Sequence, residues 1–202
     1  MEQGTNEVVD TIRERRSVRS FTDQDVSNEA ILTILNAANQ APSAHNQQSW
    51  RFIVIKGEKK NELAELVNRR APDFPRPTSA LLRMASRSII SAPVVIAVAN
   101  TGELIHHGKE LFQMDSDDVT DFFRIMEIQS SAAAVENMLI AATSIGLASV
   151  WLGVLIMVQK DVMKLLEIPE GEFMAVVPVG YAQKTKSSPA KHELGMLVKY
   201  LD

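Results

Sequence analysis

The chain predicts an α+β fold, a central sheet flanked by helices, on three observations. Runs of β-branched and apolar residues at 50–56, 93–99 and 173–179 read as buried strands. Stretches with apolar residues at three- and four-residue spacing alternate with them, and one of these, about residues 122–145, sustains a long helix. The composition fits: 202 residues, 46% hydrophobic and 23% charged, make one ordinary domain, residues 1–202, with a substantial core.

Taken in order, Val8, Val9 and Ile12 share a helical face that leads into an arginine cluster. Ile31, Ile34, Leu35 and Ala38 make a second amphipathic helix behind a cap at Ser27 or Asn28, and Pro42 ends it. The strand at 50–56 is closed by Gly57, and residues 59–69 are helical. Residues 71–79 carry Pro72, Pro75 and Pro77 and read as an exposed loop suited to a mobile lid, followed by a short helix at 80–90. Residues 101–121 are the weakest to assign, and Asp115, Asp117, Asp118 and Asp121 read as a solvated loop or a helix start. In the long helix Ala132, Ala133, Ala134, Ala141 and Ala142 permit close approach by a neighbouring helix, and Gly146 supplies the stop. Residues 148–152 are a further strand, separated from 173–179 by a short helix near 161–167. The tail, 187–202, has an apolar pattern only over 194–201 and is expected to pack on another surface, such as a second subunit.

A net charge of −4 argues against a general nucleic-acid or membrane-surface binder, which would carry a basic field. No cysteine occurs, which excludes disulfides, thiolate metal sites and cysteine nucleophiles and suits a reducing compartment. The first residues have no basic or apolar signal region, so a soluble, cytoplasmic protein is expected. His106 and His107 are adjacent and point apart on a helix or a strand, so no metal site is expected from them. The nine methionines read as core filler.

Two polar clusters carry the chemistry. Residues 13–21 read Arg-Glu-Arg-Arg-Ser-Val-Arg-Ser-Phe. Arginine's planar fork of donors fits phosphate bidentately and serine adds a short donor, so the segment suits a phosphorylated small molecule; the bland reading is a solvated helix end. Residues 41–50 read Ala-Pro-Ser-Ala-His-Asn-Gln-Gln-Ser-Trp, a helix broken at proline and then a strand. Their amides and hydroxyls both donate and accept, which suits the mixed edge of a heterocycle, or else a turn satisfying its own backbone.

These two strings, in this order, resemble the opening of the FMN-dependent nitroreductase family. Residues 133–154 resemble that family's long central helix and following strand, and residues 177–181, Val-Pro-Val-Gly-Tyr, its late strand. The resemblance covers nearly the whole chain. It implies a mostly antiparallel sheet flanked by helices, and a homodimer in which a C-terminal extension is exchanged and FMN lies at the subunit interface. It places Arg15 and Ser17 at the FMN phosphate and ribityl end with Arg16 beside them, and Arg19 at the N1 and O2 edge of the ring. A cation there stabilises the negative charge that reduction puts on that edge. Pro42, Ser43 and Ala44 match the segment running past the cofactor, with Asn46 and Gln48 as flavin or loop contacts. Trp151, Leu152 and Gly153 match the strand end near the ring, and Lys191 a basic residue on the phosphate. The implied activity is reduction of nitroaromatic, quinone or similar small acceptors by NAD(P)H, by ping-pong hydride transfer through flavin N5, with no obligatory acid or base. Two alternatives share these residues: another flavin enzyme on this scaffold, dehalogenating or flavin-fragmenting, and a non-catalytic flavin-binding dimer module. The chain departs from the family at Ser49, where proline is usual before the tryptophan, and at residues 182–186.

Overall fold

A computed structural model of the chain describes residues 6–113, 116–184 and 187–201. Its four strands are β1 (Trp50–Ile55), β2 (Val94–Asn100), β3 (Ala148–Ser149) and β4 (Glu172–Gly180), paired antiparallel in the order β1-β2-β4-β3. β2 is buried along its whole length, and its Val, Ile and Ala residues leave no polar side chain under either layer before Asn100. Trp50 stands opposite Asn100 and Ile55 opposite Val95, while Val94 faces Val179 across the other ladder.

Alternation along β2 builds two cores, because successive side chains leave a strand on opposite faces. Val94, Ile96 and Val98 pack under α2 (Asn28–Asn39) and α6 (Asp117–Ser144), against Ile31, Ile34, Ala134 and Met138. Val95, Ala97 and Ala99 pack under α3 (Gly57–Arg70), α4 (Arg76–Ser91) and α7 (Gln159–Leu165), against Leu63, Leu82, Ile89 and Val162. Each large side chain so buried contributes about 1.5–3 kcal/mol, which makes the sheet and its two helical layers the stable frame. Ala134 and Ala142 let α2 lie close to α6, where the Asn137 amide donates to Ala37 O at 3.1 Å. Left-handed Gly146 (φ 78°) ends α6, and the next amide returns from Leu147 to Ala142 O at 2.8 Å.

α1 (Glu7–Glu14) is capped by Asn6, and α2 by Ser27, whose hydroxyl accepts the Ala30 amide at 3.1 Å. Val8, Val9 and Ile12 do share a face of α1, but that face is exposed.

Two expectations are corrected, the loop or lid at 71–79 and the strand at 148–152, and of the two readings of the acidic stretch near 115–121 the helix start holds. Residues 71–79 are no loop or lid: a 3-10 turn, Ala71–Asp73, leads within two residues into α4, and Ala71 is buried in the core. Proline is accepted in the first turn of a helix, where its missing N–H has no partner to lose, so Pro75 and Pro77 start α4 instead of breaking the chain. Residues 101–121 hold α5 (Glu103–Phe112) and the first turn of α6, which begins at Asp117 behind a Ser116 cap and has Asp117 and Asp118 at its positive end. The strand expected at 148–152 is two residues long, and only a bridge from Leu152 to Val176 continues it. The readings that fall on residues 1–5, Asp115, Thr185, Lys186 and Asp202 lie outside the described residues.

The described tail, 187–201, is exposed throughout and has one 3-10 turn, Leu194–Met196.

Candidate functional site

α1 ends at Glu14, and the chain then runs straight through the arginine cluster. Arg16 turns back on the helix end, its Nη1 donating to Arg13 O at 2.5 Å and Arg15 O at 2.7 Å. Ser17 forms a parallel bridge with Ser149, and the Val18 amide donates to Ser149 O at 3.0 Å. The segments that carry Arg19 and Trp151 therefore leave this bridge in the same direction. Arg15 Nε lies 3.7 Å from Glu136 Oε1 on α6, and Arg19 Nη1 reaches Ser17 O at 3.4 Å.

These residues form one wall of a cleft of about 800 Å³, and the tail, through Ser188 and Lys191, forms another. The cleft gathers Arg15, Arg16, Ser17, Arg19 and Lys191, which are far apart in sequence at the two ends of the chain, along with Arg13. Glu136 is the one carboxylate among its described lining residues. Arg16 Nε and Arg19 Nε are buried with no hydrogen-bond partner among the described residues. Donors thus outnumber acceptors, and a buried unpaired donor costs about 1–3 kcal/mol until an acceptor meets it. That donor set fits a phosphorylated anion.

The polar loop, residues 42–48, is built differently. His45 (φ 53°), Asn46 (φ 53°) and Gln48 (φ 51°) are left-handed, which is uncommon outside glycine and costs about 1 kcal/mol or more each. The loop holds this shape through its own hydrogen bonds and one tie to α6. Ser43 Oγ accepts the Gln48 amide at 3.0 Å, Gln48 Nε2 donates to Asn46 Oδ1 at 3.2 Å, and Ser130 Oγ accepts the Ala44 amide at 3.2 Å. His45 meets His107 of α5 edge-on, with ring centroids 6.4 Å apart. None of Pro42, Ser43, Ala44, Asn46 and Gln48 lines the arginine cleft of the same chain, nor do Trp151, Leu152 and Gly153. Leu152 is held to Val176 by bonds of 2.9 and 3.3 Å, and Gly153 opens a 3-10 helix, Gly153–Val158.

A second cleft, about 630 Å³, lies where β2 ends, between α5 and α6; Glu127, Arg124, His106 and Glu172 are on its walls. Glu127 is 1% exposed, and its Oε1 accepts the Leu104 amide at 3.0 Å, with the Ser49 hydroxyl and the Gly102 amide also bonded to the carboxyl group. Burial raises its pKa above the ordinary glutamate value; the hydrogen bonds oppose that and the Glu172 charge adds to it. Asn100 and Ser131 are buried next to each other and hydrogen-bonded, and Asn100 Nδ2 has no partner. The sequence reading missed this set. Its signal was the spacing of Phe123, Glu127, Ser130, Ala134 and Met138, which puts a glutamate on the buried stripe of α6.

A four-stranded antiparallel sheet between helical layers, with a cationic cleft joining the N-terminal arginines to the tail, defines an α+β protein whose cleft offers donors suited to an anion. The family's sequence profile matches residues 12–181, and the chain belongs to the nitroreductase family. Among its relatives is a protein of Archaeoglobus fulgidus provisionally named NADH dehydrogenase/NAD(P)H nitroreductase, 31% identical over 89% of this chain and 88% of its own. A BluB-like flavoprotein of Clostridium difficile superposes with a TM-score of 0.81 at 27% identity, over 98% of this chain and all of its own (100%). A provisional nitroreductase of Desulfovibrio desulfuricans, solved in complex with FMN, superposes with a TM-score of 0.71 at 29% identity, over 98% of each chain. Among the described residues no helix is long and apolar enough to cross a membrane.

Proposed function

We propose that the protein is an FMN-dependent oxidoreductase that uses NAD(P)H to reduce small oxidised acceptors such as nitroaromatics and quinones, acting as a cytoplasmic homodimer. The observation that carries this reading is the convergence of Arg15, Arg16, Ser17, Arg19 and Lys191 on one cleft from opposite ends of the chain. The FMN complex of the D. desulfuricans relative and the nicotinamide in the name of the A. fulgidus one support the same chemistry.

Arg15, Ser17 and Lys191 bind the phosphate, and the anion displaces the long, half-exposed Arg15–Glu136 contact, which is worth little in water. Arg16 is largely spent on the carbonyls that end α1, so it shapes the wall and adds charge. Arg19 supplies a fixed cation to the ring edge. FMN, when bound, accepts hydride from the nicotinamide and passes reducing equivalents to the acceptor. The residues 151–153 segment leaves the Ser17–Ser149 bridge alongside Arg19 and can meet the ring within the same chain, whereas the residues 42–48 loop does not line this cleft and would reach the cofactor from a second copy of the protein. Val8, Leu194, Leu197, Tyr200 and Leu201 remain exposed, an apolar surface in keeping with such a copy.

The test is an absorbance spectrum of the pure protein followed by anaerobic titration with NADH and NADPH. A yellow protein that bleaches supports the reading. A colourless protein, or reconstituted FMN that neither nicotinamide bleaches, overturns it.

A further inference from the structure

We infer that Glu127 is a positioning residue: lying between the Ser49 hydroxyl and the amides that begin α5, it fastens the segment 42–49 and α5 to α6, and its ionisation loosens both together. The catalytic consequence rests on the flavin reading above; the mechanical claim does not.

The junction is built from three directions. Ser49 closes the polar loop just before β1, and its carbonyl accepts the Thr101 amide at 3.0 Å, which ties the start of β1 to the end of β2. Its hydroxyl turns the other way, to Glu127. The Leu104 amide, unpaired within α5 because it belongs to the first turn, finds its acceptor in Glu127 Oε1 at 3.0 Å. One turn along the same stripe of α6, Ser130 accepts the Ala44 amide at 3.2 Å. α6 therefore grips the loop at residues 44 and 49, on either side of the left-handed His45, Asn46 and Gln48, and grips α5 with the same carboxyl group.

The charged groups around Glu127 are few. Arg124 of α6 and Glu172 of β4 satisfy each other through two bonds of 2.7 and 2.6 Å, and His106 of α5 and Glu170, just before β4, also face the second cleft. Among the described residues no cation bonds Glu127 in return. The neutral carboxyl group is accommodated: its carbonyl oxygen still accepts from Leu104, and its O–H can donate to Ser49 Oγ, with the serine hydroxyl reversing direction. The ionised group is better solvated once the junction opens. A group whose folded pKa is raised favours the open state as pH rises through that pKa.

The test is hydrogen exchange of the ligand-free chain from about pH 5 to about pH 8, corrected for intrinsic rates, on the wild type, Glu127→Gln and Ser49→Ala. In the wild type, protection of residues 42–49 and 102–106 is expected to fall together as pH rises from the ordinary glutamate pKa to the raised one, by up to about tenfold per pH unit, and to level off above it. Glu127→Gln is isosteric, keeps an acceptor for Leu104 and a donor for Ser49, and abolishes the fall. Ser49→Ala abolishes it for residues 42–49 and leaves it for 102–106. A pH response that persists in Glu127→Gln, or segments that respond independently in the wild type, overturns the proposal. In the FMN-loaded enzyme the same step is expected in the pH profile of kcat/KM and is lost in Glu127→Gln. A protein that takes up no FMN sinks the flavin reading and leaves the exchange result to decide this one.

Discussion

The proposed function gives single side chains in the arginine cluster separable jobs. Arg15 stands at the cleft wall with only a 3.7 Å contact to Glu136, free to exchange it for phosphate. Arg15→Ala is therefore expected to weaken FMN binding by about ten- to a hundredfold, the worth of a hydrogen-bonded charge, read by equilibrium dialysis. Arg19→Ala is expected to lower the flavin potential, read by anaerobic redox titration, with a smaller loss of binding. Equal effects of the two variants on both properties would contradict the division. Glu127 calls for a stability measurement with its sign worked out. Its pKa is raised in the folded state, so the stability it contributes is fully present below the ordinary glutamate pKa and is lost as pH rises through the raised value. Thermal melts are expected to show Glu127→Gln gaining on the wild type across that window, and a constant difference at all pH values would refute it. The cationic cluster was legible in the sequence because arginine is conspicuous in an acidic chain. Glu127 and Ser49 were not singled out, since a lone glutamate and a lone serine look like surface until the helical register of α6 is laid beside them.

Elements were legible where one physical rule dominated. β2 and β4 are apolar along nearly their whole length because they are covered on both faces, and α2 shows a clear stripe because only one side of it is buried. The reading failed where two rules compete at one residue. Proline both ends helices and begins them, and at Pro75 and Pro77 the second role wins, so α4 occupies what looked like a lid. α5 was obscured for another reason: its contact with α6 depends on Gly108, a residue that argues against helix in any propensity scale. The ring of Phe123 lies against that glycine, and a Cβ there would run into it. Gly108→Ala is thus expected to lower stability by about 1–3 kcal/mol despite alanine's better helix propensity, read by chemical denaturation. A stabilised Gly108→Ala protein would show that the two helices do not meet this closely.

At the scale of the molecule, the cleft depends on a tail that has no core of its own. Ser188 and Lys191 line it, and the apolar residues beyond them are exposed, Tyr200 by 85% and Leu201 by 81%. Deleting the chain from residue 187 onward is expected to leave the sheet and its two cores folded, because neither core uses a tail residue. FMN affinity and dimer formation are expected to fall together, measured by fluorescence quenching and light scattering. A truncated protein that keeps full FMN affinity would remove Lys191 from the site.

If the proposed dimer forms through the exposed tail, concentration becomes a stabilising variable. A chain that buries its last large side chains only against a copy of itself draws part of its folding free energy from mass action, so its melting temperature should climb as the solution is made more concentrated and slip on dilution. Lys191 enters the cleft from that tail, and dilution would then empty the binding site before it unfolds the sheet.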